Sequence, residues 1–109
     1  MLRKIEADLT PSKIEPLRDF LLKKGVEGMS LIDAQGIGAR SPKDKKGKPV
    51  LEKRLKVEIV VGEDRVDEIL AGIKSLAAVA DIGAGMIFVL PVEDAIRLST
   101  REAGKSAII

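Results

Sequence analysis

The stretch Lys56-Val57-Glu58-Ile59 repeats the pattern of an earlier stretch, Lys4-Ile5-Glu6-Ala7. In both, charged residues alternate with apolar ones, which is typical of a half-exposed β-strand. Each stretch is followed by a turn, an amphipathic helix and a return strand that carries glycine at one end. The chain is therefore one strand–helix–strand unit written twice. Two such units interleaved in one antiparallel sheet predict an α+β fold, the ferredoxin-like βαββαβ sandwich.

The ends of several elements can also be predicted. Ser12 with Glu15 three residues later has the spacing of a capping box at the start of the first helix. Residues 26–35 are expected to form the first return strand. Residues 86–90 are the last strongly apolar strand, and we expect it to end before Pro91, which cannot donate a ladder hydrogen bond.

Length and composition limit the class of protein. The 109 residues are enough for one domain with a buried core, spanning 1–109. No apolar run approaches the length needed to cross a membrane, and a strand pattern begins at the first residues, so we expect neither a signal peptide nor direct membrane insertion. The expected location is cytoplasmic.

The missing residue types exclude several kinds of site. Without His or Cys, a zinc site with imidazole or thiolate ligands and the Ser-His and Cys-His nucleophile pairs cannot be built. With no Tyr or Trp, a stacking platform for single-stranded nucleic acid is not expected. The carboxylates Glu6, Asp8 and Glu58 share a strand face with Lys4 and Lys56, which favours cross-strand ion pairs over acid–base catalysis. We expect no catalytic residue, no metal site and no enzyme activity.

The insert between the two halves, residues 36–54, carries a local excess of positive charge. The formal net charge of the chain is +2, whereas residues 40–56 hold eight Lys or Arg and two Asp or Glu, a local charge of +6. Two prolines and a glycine within residues 39–54 predict a long exposed loop here, and such loops often carry function. The lysines Lys43, Lys45, Lys46 and Lys48 could dock on a protein partner, form a solvated charge run or contact nucleic acid. The absence of aromatic residues disfavours nucleic acid.

Six stretches in one order, around a loop of this kind, resemble the PII signalling proteins over nearly the whole chain. They are Lys4-Ile5-Glu6-Ala7, Gly25-Val26-Glu27-Gly28-Met29-Ser30, Gly36-Ile37-Gly38, Lys56-Val57-Glu58-Ile59-Val60-Val61, Ile82-Gly83-Ala84-Gly85-Met86-Ile87-Phe88-Val89 and Ala95-Ile96-Arg97-Leu98-Ser99-Thr100. No single stretch is specific, but the ordered set is.

The resemblance implies a homotrimer that regulates nitrogen utilization by signal transduction and not by catalysis. Its long loop, the T-loop of the family, would contact a membrane transporter or a metabolic enzyme. Adenine nucleotides would bind in clefts between subunits. Carried over position by position, the candidate ligand-binding residues are Ser30, Gly36, Gly38, Arg40, Glu58, Gly83, Gly85 and Arg97.

The chain departs from the family pattern where the family reads phosphate. Met86 replaces the lysine of a Gly-Asp-Gly-Lys stretch, Ser99 replaces the second arginine of Arg-x-Arg, and Ala39-Arg40 replaces Arg-Gln. Each charge-assisted hydrogen bond contributes about 1.5–3 kcal/mol, so two lost cations weaken triphosphate binding by about 3–6 kcal/mol. A small anion, AMP or ADP is therefore favoured over ATP with Mg and 2-oxoglutarate. The loop holds no tyrosine, so it has no uridylylation site.

Two functions of different kinds remain open on the sequence alone. The first is a PII-like trimeric regulator that senses a small anionic ligand or adenine nucleotide and controls a partner enzyme or transporter through its basic loop. The second is a ligand-independent structural or interaction module that keeps the trimer and the loop but has lost nucleotide sensing.

Overall fold

The computed structural model describes residues 1–26, 28–38, 41–78 and 86–108. Within these ranges the strands are β1 (Leu2–Leu9), β2 (Ser30–Gly36), β3 (Glu52–Gly62) and β4 (Ile87–Val92), and the α-helices are α1 (Ile14–Lys23) and α2 (Val66–Ala78). Short 3₁₀ turns precede both helices, at Pro11–Lys13 and Glu63–Arg65, and another spans Gly104–Ile108.

The strands form one antiparallel sheet in the order β2-β3-β1-β4. In each half of the chain, the strands before and after the helix are parallel and the first strand of the other half lies between them. This arrangement confirms the ferredoxin-like α+β fold predicted from the repeated unit.

The core lies between one face of the sheet and the two helices. Its strand residues are Ile5, Ala7, Leu9, Val57, Ile59 and Val61, and its helix residues include Leu17, Leu21, Ile69 and Ile73. The helices approach closely because α2 has a glycine, Gly72, beneath the ring of Phe20 from α1. A Cβ placed on Gly72 would lie 1.9 Å from Phe20 Cζ.

The predicted capping box is wrong. The chain enters α1 through a 3₁₀ turn in which the Lys13 amide donates to the Thr10 carbonyl at 3.0 Å, and Ser12 Oγ lies 3.3 Å from Thr10 Oγ1. The helix ends as its Gly25 suggests. That residue has a φ of +77°, and the amide after it, on Val26, donates to the Leu21 carbonyl at 2.9 Å.

Three strand ends differ by two or more residues from those predicted. β2 begins at Ser30, later than residue 26, and β3 begins at Glu52, which places residues 52–54 in the strand and not in the loop. β4 continues through Pro91 to Val92. Pro91 is tolerated because, among the described strands, β4 is an edge strand, and an edge position can lack an amide donor.

Candidate functional site

A groove of about 780 Å³ lies on β3, between the α1–β2 connection and the C-terminal 3₁₀ turn. It is lined by Gly25, Val26, Gly28, Met29, Ser30, residues 58–62, Asp64, Arg65, Arg97, Lys105, Ala107 and Ile108. Its walls therefore combine apolar side chains with two carboxylates and three cations. Such a groove can hold an anion that also has an apolar body.

Three predicted ligand-binding residues meet in this groove, although they are far apart in the sequence. Ser30 pairs with Glu58 across β2 and β3, which puts both side chains on one sheet face. Arg97 is brought to the same groove by the C-terminal segment.

The remaining predicted residues lie elsewhere or outside the described ranges. Gly36 and Gly38 do not line this groove among the residues described; they stand at the base of the long loop. Arg40, Gly83 and Gly85 lie outside the described residues.

The base of the loop is tightly held. Ser41 is buried and accepts a hydrogen bond from the Gly38 amide at 2.7 Å, and its own amide donates to the Gly38 carbonyl at 3.1 Å. Arg54 is only 7% exposed, with its guanidinium 3.5 Å from Glu52 Oε1. A Cβ on Gly36 would contact Arg54 Cγ at 3.5 Å. The lack of a side chain at Gly36 thus leaves room for the buried arginine.

The tip of the loop is a compact hairpin, with a bridge between Lys43 and Pro49. Asp44 Oδ1 accepts hydrogen bonds from the Lys46 amide at 2.8 Å and the Lys48 amide at 2.9 Å. The one acidic side chain of the tip is therefore turned to its own backbone. The lysines Lys43, Lys45, Lys46 and Lys48 are exposed.

A clasp in the C-terminal segment positions Arg97. Asp94 Oδ1 accepts hydrogen bonds from the Ala95 amide at 2.8 Å and the Gly104 amide at 3.0 Å, which closes the segment on itself. Inside this closure the Arg97 amide donates to the Glu102 carbonyl at 2.9 Å. Arg101 completes the turn with a φ of 62°, a conformation that residues other than glycine adopt rarely.

Sequence reasoning missed two cations of the groove, Arg65 and Lys105. Arg65 is held by Glu68 at 2.9 Å and donates to the Lys24 carbonyl at the end of α1. Lys105 Nζ lies 3.7 Å from Asp64 Oδ1, and both side chains pass over Gly62. A glycine in a strand can mark such a close approach, so Gly62, the last residue of β3, is the signal that could have found this site.

The open face of the sheet carries an ion-pair network next to the groove. Lys4 Nζ lies 3.0 Å from Glu6 and 3.7 Å from Glu58, and Lys56 Nζ lies 3.7 Å from Glu6. This network confirms the ion pairs predicted for Glu6 and Glu58. The hydrogen bond that Lys4 donates to Glu6 lowers the pKa of Glu6, and the positive charge of Lys56 lowers it further. The same hydrogen bond raises the pKa of Lys4.

In the described ranges, no cluster of three or more acidic residues is placed to hold a metal ion. No helix within the same ranges is long and apolar enough to cross a membrane.

The ferredoxin-like fold and the exposed basic loop are the features that the resemblance to the PII signalling proteins implied. The comparison with known families agrees, because residues 2–102 match the family described as nitrogen regulatory protein P-II. The chain belongs to this family.

Individual relatives support the assignment. The chain is 37% identical over 110 residues to the P-II homolog of Arabidopsis thaliana, covering 95% of this chain but 56% of that protein. It is 33% identical over 117 residues to the P-II protein of Bradyrhizobium diazoefficiens, covering 98% of this chain and all of that protein. A crystal structure of Arabidopsis thaliana PII bound to citrate aligns with a TM-score of 0.81 at 37% identity, covering 97% of this chain and 91% of that one.

Proposed function

We propose that this protein is a homotrimeric, cytoplasmic P-II-type regulator that binds a small anion or an adenine nucleotide in the groove on β3 and controls a partner protein through its basic loop. The observation that carries the proposal is the meeting of Ser30, Glu58 and Arg97 in one groove. The pairing of β2 with β3 brings Ser30 and Glu58 together, and the C-terminal segment adds Arg97 to the same open groove.

The chemistry of the groove favours a ligand with an apolar body and a limited negative charge. Met29 and Val60 offer apolar surface, and Arg97 offers a cation. Met86, where the family pattern has a lysine, is 64% exposed and offers no charge. AMP or ADP fits this balance better than ATP with Mg and 2-oxoglutarate. The citrate in the Arabidopsis structure supports the wider class of small anions.

The open sheet face supports the homotrimer. Phe88 is 48% exposed and lies opposite Glu6 on this face, and Leu90 lies opposite Lys4. Exposed apolar side chains around an ion-pair network form a surface suited to burial between subunits. We expect Phe88→Lys to reduce the mass in sedimentation velocity from three times the 11.7 kDa chain to one. The exposed helix position Leu22, changed in the same way, is the control.

The loop supports docking on a protein partner. Its four tip lysines stand on a hairpin that is already ordered by Asp44, so binding costs less conformational entropy than ordering a mobile segment would. A membrane transporter or a metabolic enzyme with an acidic docking site is the expected partner.

Ligand binding can be tested with AMP, ADP, ATP and citrate in calorimetry and thermal denaturation. A ligand that binds only the folded state at about 100 times its Kd adds about 2.7 kcal/mol to the free energy of unfolding. We expect Arg97→Gln to weaken binding about tenfold, since it removes a charge-assisted hydrogen bond. The matched control is Arg18→Gln, an exposed arginine on α1. A flat response to all four ligands would refute ligand sensing and favour the ligand-independent interaction module.

A further inference from the structure

The C-terminal 3₁₀ turn (Gly104–Ile108) forms one wall of the groove and is attached there at two points. Ala107 is buried, and Lys105 forms an ion pair with Asp64 in the turn that precedes α2. The apolar contact can hold the turn without the ion pair. The ion pair between Lys105 and Asp64 is therefore not required to hold the turn in place.

The geometry of the ion pair shows that it is weak. Its two atoms are 3.7 Å apart, and the side chains of Lys105 and Asp64 are 66% and 68% exposed. Exposed pairs of this kind change an equilibrium by at most about fivefold. Lys105 can thus leave Asp64 at little cost when a stronger anion is present.

The strand beneath the pair is shaped to admit it. A Cβ on Gly62 would lie 2.6 Å from Asp64 Oδ1 and 3.2 Å from Lys105 Cε. The absence of a side chain at Gly62 leaves both side chains room to meet over β3, in the groove that Arg97 also lines.

A second cation of the groove, Arg65, is less available for exchange. Arg65 is committed to Glu68 and to the Lys24 carbonyl, where it joins α2 to the end of α1. Lys105, by contrast, has a highly exposed side chain whose ion pair with Asp64 is long and equally exposed. Lys105 can therefore exchange Asp64 for an anionic group of a ligand.

We propose that Lys105 is an exchangeable anion-binding residue: Asp64 holds it in the empty groove, and a phosphate or carboxylate of the ligand takes it over. This inference rests on the proposed function, because it assigns a residue to the same groove. It implies that Asp64 competes with the ligand and thereby sets selectivity. The more negative the ligand, the more completely it displaces Asp64 from Lys105.

The test compares two variants with opposite expected effects. Affinities for ADP, AMP, adenosine and citrate are measured by calorimetry at low salt, where exposed charges are least screened. Lys105→Gln should weaken ADP, AMP and citrate binding roughly three- to tenfold, and Asp64→Asn should strengthen it roughly two- to fivefold. Adenosine, which has no charge, should bind equally to all forms. Lys105→Arg should keep the affinity, and Lys74→Gln, an exposed lysine on α2, is the control.

The possible outcomes separate this inference from the proposed function. If the unaltered protein binds none of the probes, the proposed function fails and the inference with it. If it binds ADP or citrate but Lys105→Gln has no effect, or Asp64→Asn weakens binding as much as Lys105→Gln does, only the inference is refuted. Melting temperatures without ligand show whether either variant has lost the folded groove.

Discussion

The contact between Gly72 and Phe20 leads to a prediction for Gly72→Ala. Helix propensity alone predicts that this substitution stabilises the protein, whereas the packing against Phe20 predicts that it destabilises it. Gly72 lies inside α2, where replacing glycine by alanine normally stabilises a helix by about 1 kcal/mol. Here the new Cβ would lie 1.9 Å from Cζ and 2.4 Å from both Cε atoms of the Phe20 ring. Because carbon atoms that are not bonded to each other do not approach so closely, the ring or the helix has to move.

The magnitude follows from the two opposing contributions. Overpacking of this kind costs about 1–3 kcal/mol, and the propensity gain returns about 1 kcal/mol. We therefore expect Gly72→Ala to destabilise the protein by about 0–2 kcal/mol. For a domain of this size, each kcal/mol lowers the melting temperature by about 4–8 °C.

A second background makes the test decisive. Leucine at position 20 lacks the three ring atoms that the new Cβ would meet, so in Phe20→Leu the substitution Gly72→Ala should stabilise by about 1 kcal/mol. Urea or thermal unfolding of all four variants at equal protomer concentration gives the coupling between the two positions. Gly72→Ala stabilising the protein in the presence of Phe20 would refute the reasoning.

Three further predictions concern the sheet, the end of α1 and the loop. The pKa of Glu6 is lowered in the folded state. The stability that the Glu6 carboxylate contributes is therefore present above its ordinary pKa of 4.5 and is lost as the pH falls through the lower folded value. In urea unfolding between neutral and acidic pH, Glu6→Gln should make the free energy of unfolding less dependent on pH. Gly25→Ala should destabilise by about 1 kcal/mol because of its left-handed φ of +77°, whereas Gly28→Ala, which meets open space, should not; equal effects would contradict this. Asp44→Ala should leave global stability within about 0.5 kcal/mol but speed trypsin cleavage at the hairpin lysines. An unchanged cleavage rate would show that Asp44 does not hold the turn.

The sheet could be predicted from the sequence because the alternation of charged and apolar residues that marks its strands is a local pattern. Alternation along residues 4–7 and 56–59 sets which side chains face the helices, and that choice also places Lys4, Glu6 and Glu58 together on the other face. By contrast, the start of β3 was missed. Residues 52–54 are all charged, and their place in the sheet depends on backbone pairing with β2, which has no side-chain pattern.

The groove was only partly predictable. Ser30, Glu58 and Arg97 were found through the family resemblance, since nothing in their local sequence marks them as neighbours. Lys105 was missed because it acquires its place only when the C-terminal segment folds back onto β3. That return depends on the Asp94 clasp, a side-chain-to-backbone arrangement that spacing alone does not reveal.

The strand order has a consequence for the time course of folding. β1 is synthesised before both of its partner strands and lies inside the sheet, where Lys4 pairs with Val60 on one side and Leu90 on the other. Its backbone therefore stays unpaired with these strands until β3 and β4 have also been synthesised. Contacts so distant in sequence slow folding toward the millisecond-to-second range and leave a window for aggregation. The charges of Lys4, Glu6 and Asp8 keep the unpaired strand hydrated on one side.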